Sequence, residues 1–531
     1  MNAVRPTAAA GYDCVVIGGG HNGLVCAAYL AKAGRSVLVL EAATQVGGAA
    51  VTHEFSPGYR VSSCAHLLHQ MPVQLIDELA LEKHGLRFAA AQMPTVALSG
   101  DGASLTIGAA GLSGPARLSA HDQDAYPRFV ERLARFAGVL GPVLEQVPPE
   151  LGTSAWSDRF ALLGLGWRVR RLGRRDLREL LRIGAMNVYD LLEEQFESPL
   201  LKGALGLDAV LGTNFGPRSP GTVLTLLYRM AAQAGAGQRA TAQPLGGMGA
   251  VCDALARAAV AAGVTIRTAA PVSRVLVAND AACGVLLENG ERIDARTVIS
   301  NADPRTTLLK LLGAEHLDTG FVRRVSHLRT SGLAAKLHLA LDAAPRFSGL
   351  DAAATGGRLL VAPSLDYVER AFNHSKYGEY SEAPAIEVTV PTIRDPGLAP
   401  AGGHVISAVV QYAPYALRAG WDVERERMAD RVVEALEQYS PGLRGLIRAR
   451  ELLTPLDIER QFRITGGHWH HAELAFDQFF MLRPVPGAAQ YGTPLPGLFL
   501  CGAGSHPGGG VMGIAGRNAA RRILAKAARY E

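Results

Sequence analysis

Gly18, Gly20 and Gly23 fall on the pattern Gly-x-Gly-x-x-Gly, directly after the apolar run of residues 14–17. A short run of that kind, rich in β-branched residues, reads as a buried parallel strand. The three glycines then serve a tight turn, the approach of a pyrophosphate to bare backbone, and close helix–strand packing. His21 and Asn22 lie between them. A helix over residues 24–33 turns its N-terminal amides and positive dipole end toward the phosphates. Gly34 ends that helix, and a second strand over residues 36–40 carries Glu41 at its tip. A carboxylate about 20 residues past the glycines accepts hydrogen bonds from ribose hydroxyls and disfavours a 2′-phosphate, which calls for arginine. In a chain with 60 glycines the triplet alone would say little. Strand, helix and acidic residue arriving in order make it a dinucleotide site.

A second glycine pair, Gly47 and Gly48, forms either a simple turn or a place where the backbone passes close to a cofactor. The C-terminal stretch GLFLCGAGSHPGGGVMGIAGRNAA repeats the grammar: a strand over residues 498–501, a turn at Gly502 and Gly504, and a helix starting near Val511, Met512 and Gly513. Two strand–turn–helix sites at opposite ends of the chain would clasp an extended dinucleotide, diphosphate at the first helix and flavin ring at the last. This favours FAD over NAD. Gly246, Gly247 and Gly249 follow no apolar strand and no acidic residue closes them, so a separate NAD(P) domain is not expected. Their block, residues 244–304, instead returns to the first sheet, with Val272 near the adenine end and Asn289-Gly290 as a hairpin turn.

For acid–base chemistry beside a flavin, His506 is the candidate best placed by motif, with a loop anchor as its other reading; His66 and His468 are weaker candidates. The triplet His468, His470 and His471 lacks the carboxylate or cysteine pattern of a metal centre. A place on a cavity wall suits it better, and no metal is expected.

The elements that must position these residues need more than one core. At 531 residues the chain exceeds a single one. The expected division interleaves two domains. A short disordered lead (1–10) precedes three parts of a cofactor domain (11–90, 241–310, 491–531) and two parts of a substrate domain (91–240, 311–490). Helices are read at 73–86 and 424–438 and across 119–237. Strands are read at 334–341, 385–390 and 404–411, with a hairpin over 95–107 turning at Asp101-Gly102. Residues 159–196 place eight arginines among Leu, Trp and Ile at helical spacing. Such a segment can lie on an anionic membrane or form a solvated helix face.

The net charge of +5 gives no reason to expect nucleic acid binding. No run reaches the roughly 18 apolar residues of a spanning helix, and the N-terminus lacks the features of a secretory signal. The six cysteines show no Cys-x-x-Cys, which fits a reducing compartment and speaks against a redox disulfide. A cytoplasmic chain able to touch a membrane is expected.

IGGGHNGLVCAAYLAKAG, the GGAA after Glu41, VISNADP and GAGSHPGGGVMGIAGRNAA resemble the phytoene desaturase-like branch of the flavin amine oxidase superfamily over essentially the whole chain. The resemblance implies an α/β fold of the two-dinucleotide-domain flavoprotein type: a Rossmann-like FAD-binding domain with an interleaved α+β substrate domain. It implies one FAD, a small apolar and isoprenoid-like substrate, and a mitochondrial location in a eukaryote. It departs from many amine oxidases at the last turn, where CGAG stands in place of an acidic residue. No aromatic cage for an amine can be read, so amine or amino-acid oxidation is the alternative, followed by a flavoprotein with a partner-binding role.

Overall fold

The computed structural model describes residues 11–108, 111–150 and 156–527, and the expected lead of residues 1–10 lies outside them. Strand Tyr12–Ile17 lies between Val37–Leu40 and Arg292–Ser300, parallel to both, with Cys14 opposite Val37 and Thr297. Thr265–Arg267 extends this sheet beyond Val37–Leu40. Leu498–Leu500 joins Arg292–Ser300 in parallel, and the antiparallel hairpin partners Ala281–Leu287 and Val272–Ala278 complete it. Residues far apart in sequence therefore share one sheet, and its central strands are buried on both faces, as the apolar run at residues 14–17 demands.

Helices His21–Lys32, Gly249–Ala261 and Ile514–Ala527 cover one face over a common apolar core containing Leu24, Val25, Leu255 and Ile523. The first and last approach closely enough that a Cβ on Gly516 would stand 2.1 Å from the Asn22 carbonyl oxygen. Glycine is required at that crossing.

A second sheet of eight strands runs Ile447–Leu453, Ala334–Leu341, His404–Gln411, Ile386–Thr389, Arg358–Val361, Thr95–Ala97, Leu105–Gly108, Gly111–Ser113. All its pairings are antiparallel except that of Arg358–Val361 with Thr95–Ala97. Side chains alternate between its faces. Leu337, Leu359, Val361, Ile386 and Val388 join one core under helix Trp421–Glu437. Lys336, Arg358, Leu360 and Glu387 therefore stand on the other face. There Leu360 packs against the helical layer formed by Ala120–Leu144, Pro199–Val210 and Thr222–Ala236.

The structure differs from the sequence reading in three places. The helix read at 73–86 stops at Glu78, because Ala80 adopts a φ of 49° and turns the chain. The arginine-rich segment is two main helices, Trp156–Arg171 and Gly173–Gly184, broken where Gly173 takes a φ of 79°, followed by the short Val188–Glu193. The last helix begins at Ile514 and not near Val511, since Gly508, Gly510 and Gly513 all have positive φ and keep the preceding stretch as loop.

Candidate functional site

A cavity of about 760 Å³ runs from the glycine turn of the first sheet to the polar face of the second. At one end stand Gly18, Gly20, His21 and Asn22. Gly18 holds a φ of 94°, open to glycine and rarely to other residues. A Cβ on Gly20 would lie 2.7 Å from Asn301 Nδ2, and one on Gly23 would lie 2.3 Å from the Gly18 carbonyl oxygen. Gly23 does not line the cavity; it packs helix against turn. Helix His21–Lys32 has no side-chain cap and no acidic residue in its first turn, so its amide donors remain available at the cavity.

Glu41 closes the next strand. Its Oε2 accepts from the Gly19 amide at 2.7 Å and its Oε1 from the Ala43 amide at 2.8 Å. The backbone thus fixes the carboxylate at the cavity edge, where its remaining lone pairs can meet ribose hydroxyls. Gly47 and Gly48 cross beside Gly20, and the Gly47 amide donates to the Gly19 carbonyl at 2.9 Å. Val272 lines the same end.

The far wall of this groove comes from the C-terminal loop through Ala503, Gly510 and Val511, and from His470 and His471. Gly502, Gly504, Met512 and Gly513 stand behind it. A Cβ on Gly502 would meet the Asn301 carbonyl oxygen at 2.5 Å, one on Gly504 the Pro304 ring at 2.4 Å, and one on Gly513 Leu75 at 2.8 Å. Met512 is buried, with its sulfur 3.9 Å from the Tyr228 hydroxyl. These four residues shape the loop and do not line the cavity.

FAD fits this groove. The glycine cradle admits bare backbone only, and two buried polar atoms at the helix start, His21 Nε2 and Asn22 Oδ1, have no hydrogen-bond partner among the described residues. Burial, with His471 adding, brings His21 down to about 4, so the ring is neutral there. A neutral imidazole can donate one hydrogen bond and accept another.

The candidate His506 is corrected. It is fully buried, its Nε2 lies 2.9 Å from the Val143 carbonyl, and its own carbonyl accepts from the Tyr491 hydroxyl at 2.7 Å. It does not line the cavity but ties the C-terminal loop to helix Ala120–Leu144. His468 also stands behind the wall, 3.6 Å from Glu473. His66, the third histidine read from sequence, does line the cavity.

His66 belongs to a buried charged network that the sequence did not reveal. Its Nε2 lies 2.8 Å from Glu387 and its Nδ1 2.6 Å from Lys336 Nζ. Arg358 bridges Glu387 and Asp208, and Arg229 stands 3.5 Å from Asp208. Burial opposes charge on Glu387, but Arg358 and His66 outweigh it and hold the carboxyl well below its usual range. Burial brings His66 to about 4, with Lys336 adding to the effect. The ring is therefore neutral at pH 7, donating to Glu387 and accepting from Lys336, and the contact with Glu387 is a hydrogen bond, not an ion pair. Burial also pulls Lys336 down to about 7, against the attraction of Glu387. Lys336, which stands behind His66 and does not itself line the cavity, can thus hold or release a proton near neutral pH, while His66 stays neutral and Glu387 ionised at the wall. For Lys336 and Glu387 the signal was local: single charged side chains inside the strand runs AAKLHLAL and IEVT, which are otherwise apolar enough to be buried on both faces.

A Rossmann-type sheet, a glycine cradle with an acidic strand end, and a second polar-walled sheet closing one cavity define a flavoprotein oxidoreductase fold. The family model for "Flavin containing amine oxidoreductase" matches residues 23–524, and the chain belongs to that family. It is 37% identical over 543 residues to mouse pyridine nucleotide-disulfide oxidoreductase domain-containing protein 2, covering 97% of this chain and 93% of that protein. To a limonene dehydrogenase component of Castellaniella defragrans it is 29% identical over 548 residues, 96% of this chain and 94% of that one. Phytoene desaturases are more distant relatives. Cyclohexylamine oxidase from Brevibacterium oxydans shares the fold with a TM-score of 0.57 at 15% identity, over 98% of this chain and 100% of the other. FAD is the cofactor of this fold, and the chain is a flavin-containing oxidoreductase.

Proposed function

We propose that this chain oxidises or reduces a carbon centre of a compact, largely apolar, isoprenoid-like molecule. Bound in the groove, FAD supplies the redox chemistry by exchanging a hydride equivalent with substrate. The residues of the chain orient that substrate and exclude water, and Lys336 takes up or releases a proton behind His66. The observation that carries the reading is the cavity itself. Beyond the glycine cradle its wall is apolar at Leu211, Val409, Trp469 and Leu474, which suits a small apolar molecule beside the cofactor. The similarity to a limonene dehydrogenase component supports a substrate of that chemistry.

A second reading, oxidation of an amine or amino acid, draws on Asp208 and Glu387 in the cavity wall. Both carboxylates already accept hydrogen bonds from Arg358, which weakens them as seats for a free ammonium. The purified protein should be yellow, absorbing near ~450 nm as flavins do. Anaerobic addition of monoterpene alkenes and alcohols should bleach that band. Bleaching by amines alone would replace the first reading with the second, and a colourless protein that FAD does not restore would end both.

For location, we propose a reducing compartment, supported by six free cysteines, with one face of the chain touching an anionic membrane. On helix Trp156–Arg171, Trp156, Phe160, Leu163 and Trp167 are spaced 4, 3 and 4 residues apart and each is more than 60% exposed (68%, 65%, 68% and 62%). That spacing is one helix face. Arg168, Arg170, Arg171, Arg174 and Arg175 lie at its C-terminal end and across the break. Large apolar side chains held in water beside a cluster of cations suit a lipid surface with anionic headgroups.

A further inference from the structure

The cavity's polar end is unevenly satisfied. Arg358 is 2% exposed and spends its guanidinium on two carboxylates, Glu387 and Asp208. Arg229, on helix Thr222–Ala236, lines the same end and makes one ion pair among the described residues, with Asp208 at 3.5 Å, while Glu387 attracts it from farther off. That carboxylate is already engaged by Arg358. Arg229 Nε is buried without a hydrogen-bond partner among the described residues. A guanidinium carries five donors in a planar fork, and a buried donor left unpaired is costly, so a ligand able to accept from it is favoured.

The charge count points the same way. Two arginines face two carboxylates, and Lys336 adds a third cationic site whose proton is held with a value of about 7. The end is therefore neutral to positive at physiological pH. His66, and His69, which burial and then Arg229 bring down to about 3, add no positive charge. A cationic group entering here would meet two guanidiniums. A carboxylate would find the fork of Arg229.

We infer that Arg229 is the anchor for a carboxylate carried by the substrate, so that the molecule processed here has an apolar, isoprenoid-like body and an acidic end. The acidic end sits between helix Thr222–Ala236 and the polar face of the second sheet, and the apolar body reaches from there toward Trp469 and Leu474. The inference rests on the apolar-body reading above, and it adds the polar group that this reading leaves open. A bidentate pair at a buried arginine fixes orientation as well as affinity, so the carboxylate also sets which carbon is presented to the cofactor.

The test is binding, read as the change in the flavin absorption band when ligand is added to the FAD-loaded protein. Geranic acid, its methyl ester and geranylamine share one ten-carbon chain and differ at the head. The acid should bind at least tenfold more tightly than the ester or the amine. Arg229→Gln should remove that preference while leaving the ester's affinity and the FAD content unchanged, and Arg229→Lys should restore part of it. Equal affinity for acid and ester, or an acid preference that survives in Arg229→Gln, would overturn the inference, as would tighter binding of the amine. Binding of the acid without bleaching would keep the anchor and count against the proposed reaction. Bleaching by neutral terpenes with no preference for the acid would keep the reaction and remove the anchor.

Discussion

Lys336 is the residue on which pH should act most visibly. It is fully buried in a strand, with Glu387, His66, His338 and Cys64 among the titratable groups around it. Its amine falls from an ordinary 10.5 to about 7 because burial disfavours the charged form. Below about pH 7 the folded and unfolded chains both hold this proton, and the penalty of burying it is present in full. Between about 7 and 10.5 only the unfolded chain holds it, so stability rises with pH by up to ~1.4 kcal/mol per unit. Lys336→Met should remove that slope. Urea denaturation of wild type and variant from pH 6 to 10 should show the variant ahead at low pH and the gap closing as pH rises. A gap independent of pH would mean that the amine is not desolvated as its position implies.

At the scale of the element, helix Trp156–Arg171 makes the separable claim. Fully burying one large apolar side chain is worth roughly 1.5–3 kcal/mol, and each arginine near an anionic surface adds about 1 kcal/mol. Trp156→Ser with Phe160→Ser and Trp167→Ser should therefore cut partitioning onto phosphatidylserine vesicles at least tenfold. These side chains are exposed in the fold, so the unfolding midpoint should barely move. Replacing Arg170, Arg171, Arg174 and Arg175 by Gln should weaken binding in low salt and matter less in high salt, where screening shortens the reach of charge. Unchanged partitioning in both variants would return the helix to a solvated face. Sequence periodicity could find this segment but could not say where its apolar stripe points. The pattern reads identically whether tryptophans meet a core or water, and the glycine break at Gly173 that redirects the chain has no strong local signature.

Across the whole molecule, what could be read early is what folds locally. Strand, glycine turn, helix and Glu41 lie within about 30 residues, and each step carries its own composition, so the strand–turn–helix unit and its acidic strand end were legible in the sequence. The polar end of the cavity was not, because Asp208, Arg229, Arg358 and Glu387 meet only after an eight-stranded sheet and a helical layer have closed on each other. Even at the cofactor end the sequence could not separate residues that touch the cavity from those that pack behind it, which is where His506, Gly502 and Gly513 fell. The same architecture sets a last expectation. Cavity residues from 17–22, 40–51, 301–303 and 503–511 are joined around one groove though they lie hundreds of residues apart. A ligand that touches all four bonds the ends of the chain to one another, and ligand that binds only the folded state stabilises it by about 2.7 kcal/mol at one hundred times its dissociation constant. FAD added to apoprotein should raise the unfolding temperature and protect the 505–513 loop from proteolysis. ADP alone should deliver part of the thermal shift and none of the loop protection, since its seat is the first helix and Glu41 and not the C-terminal turn. Full loop protection by ADP, or no thermal shift from it, would mean that the dinucleotide lies across this groove in another way.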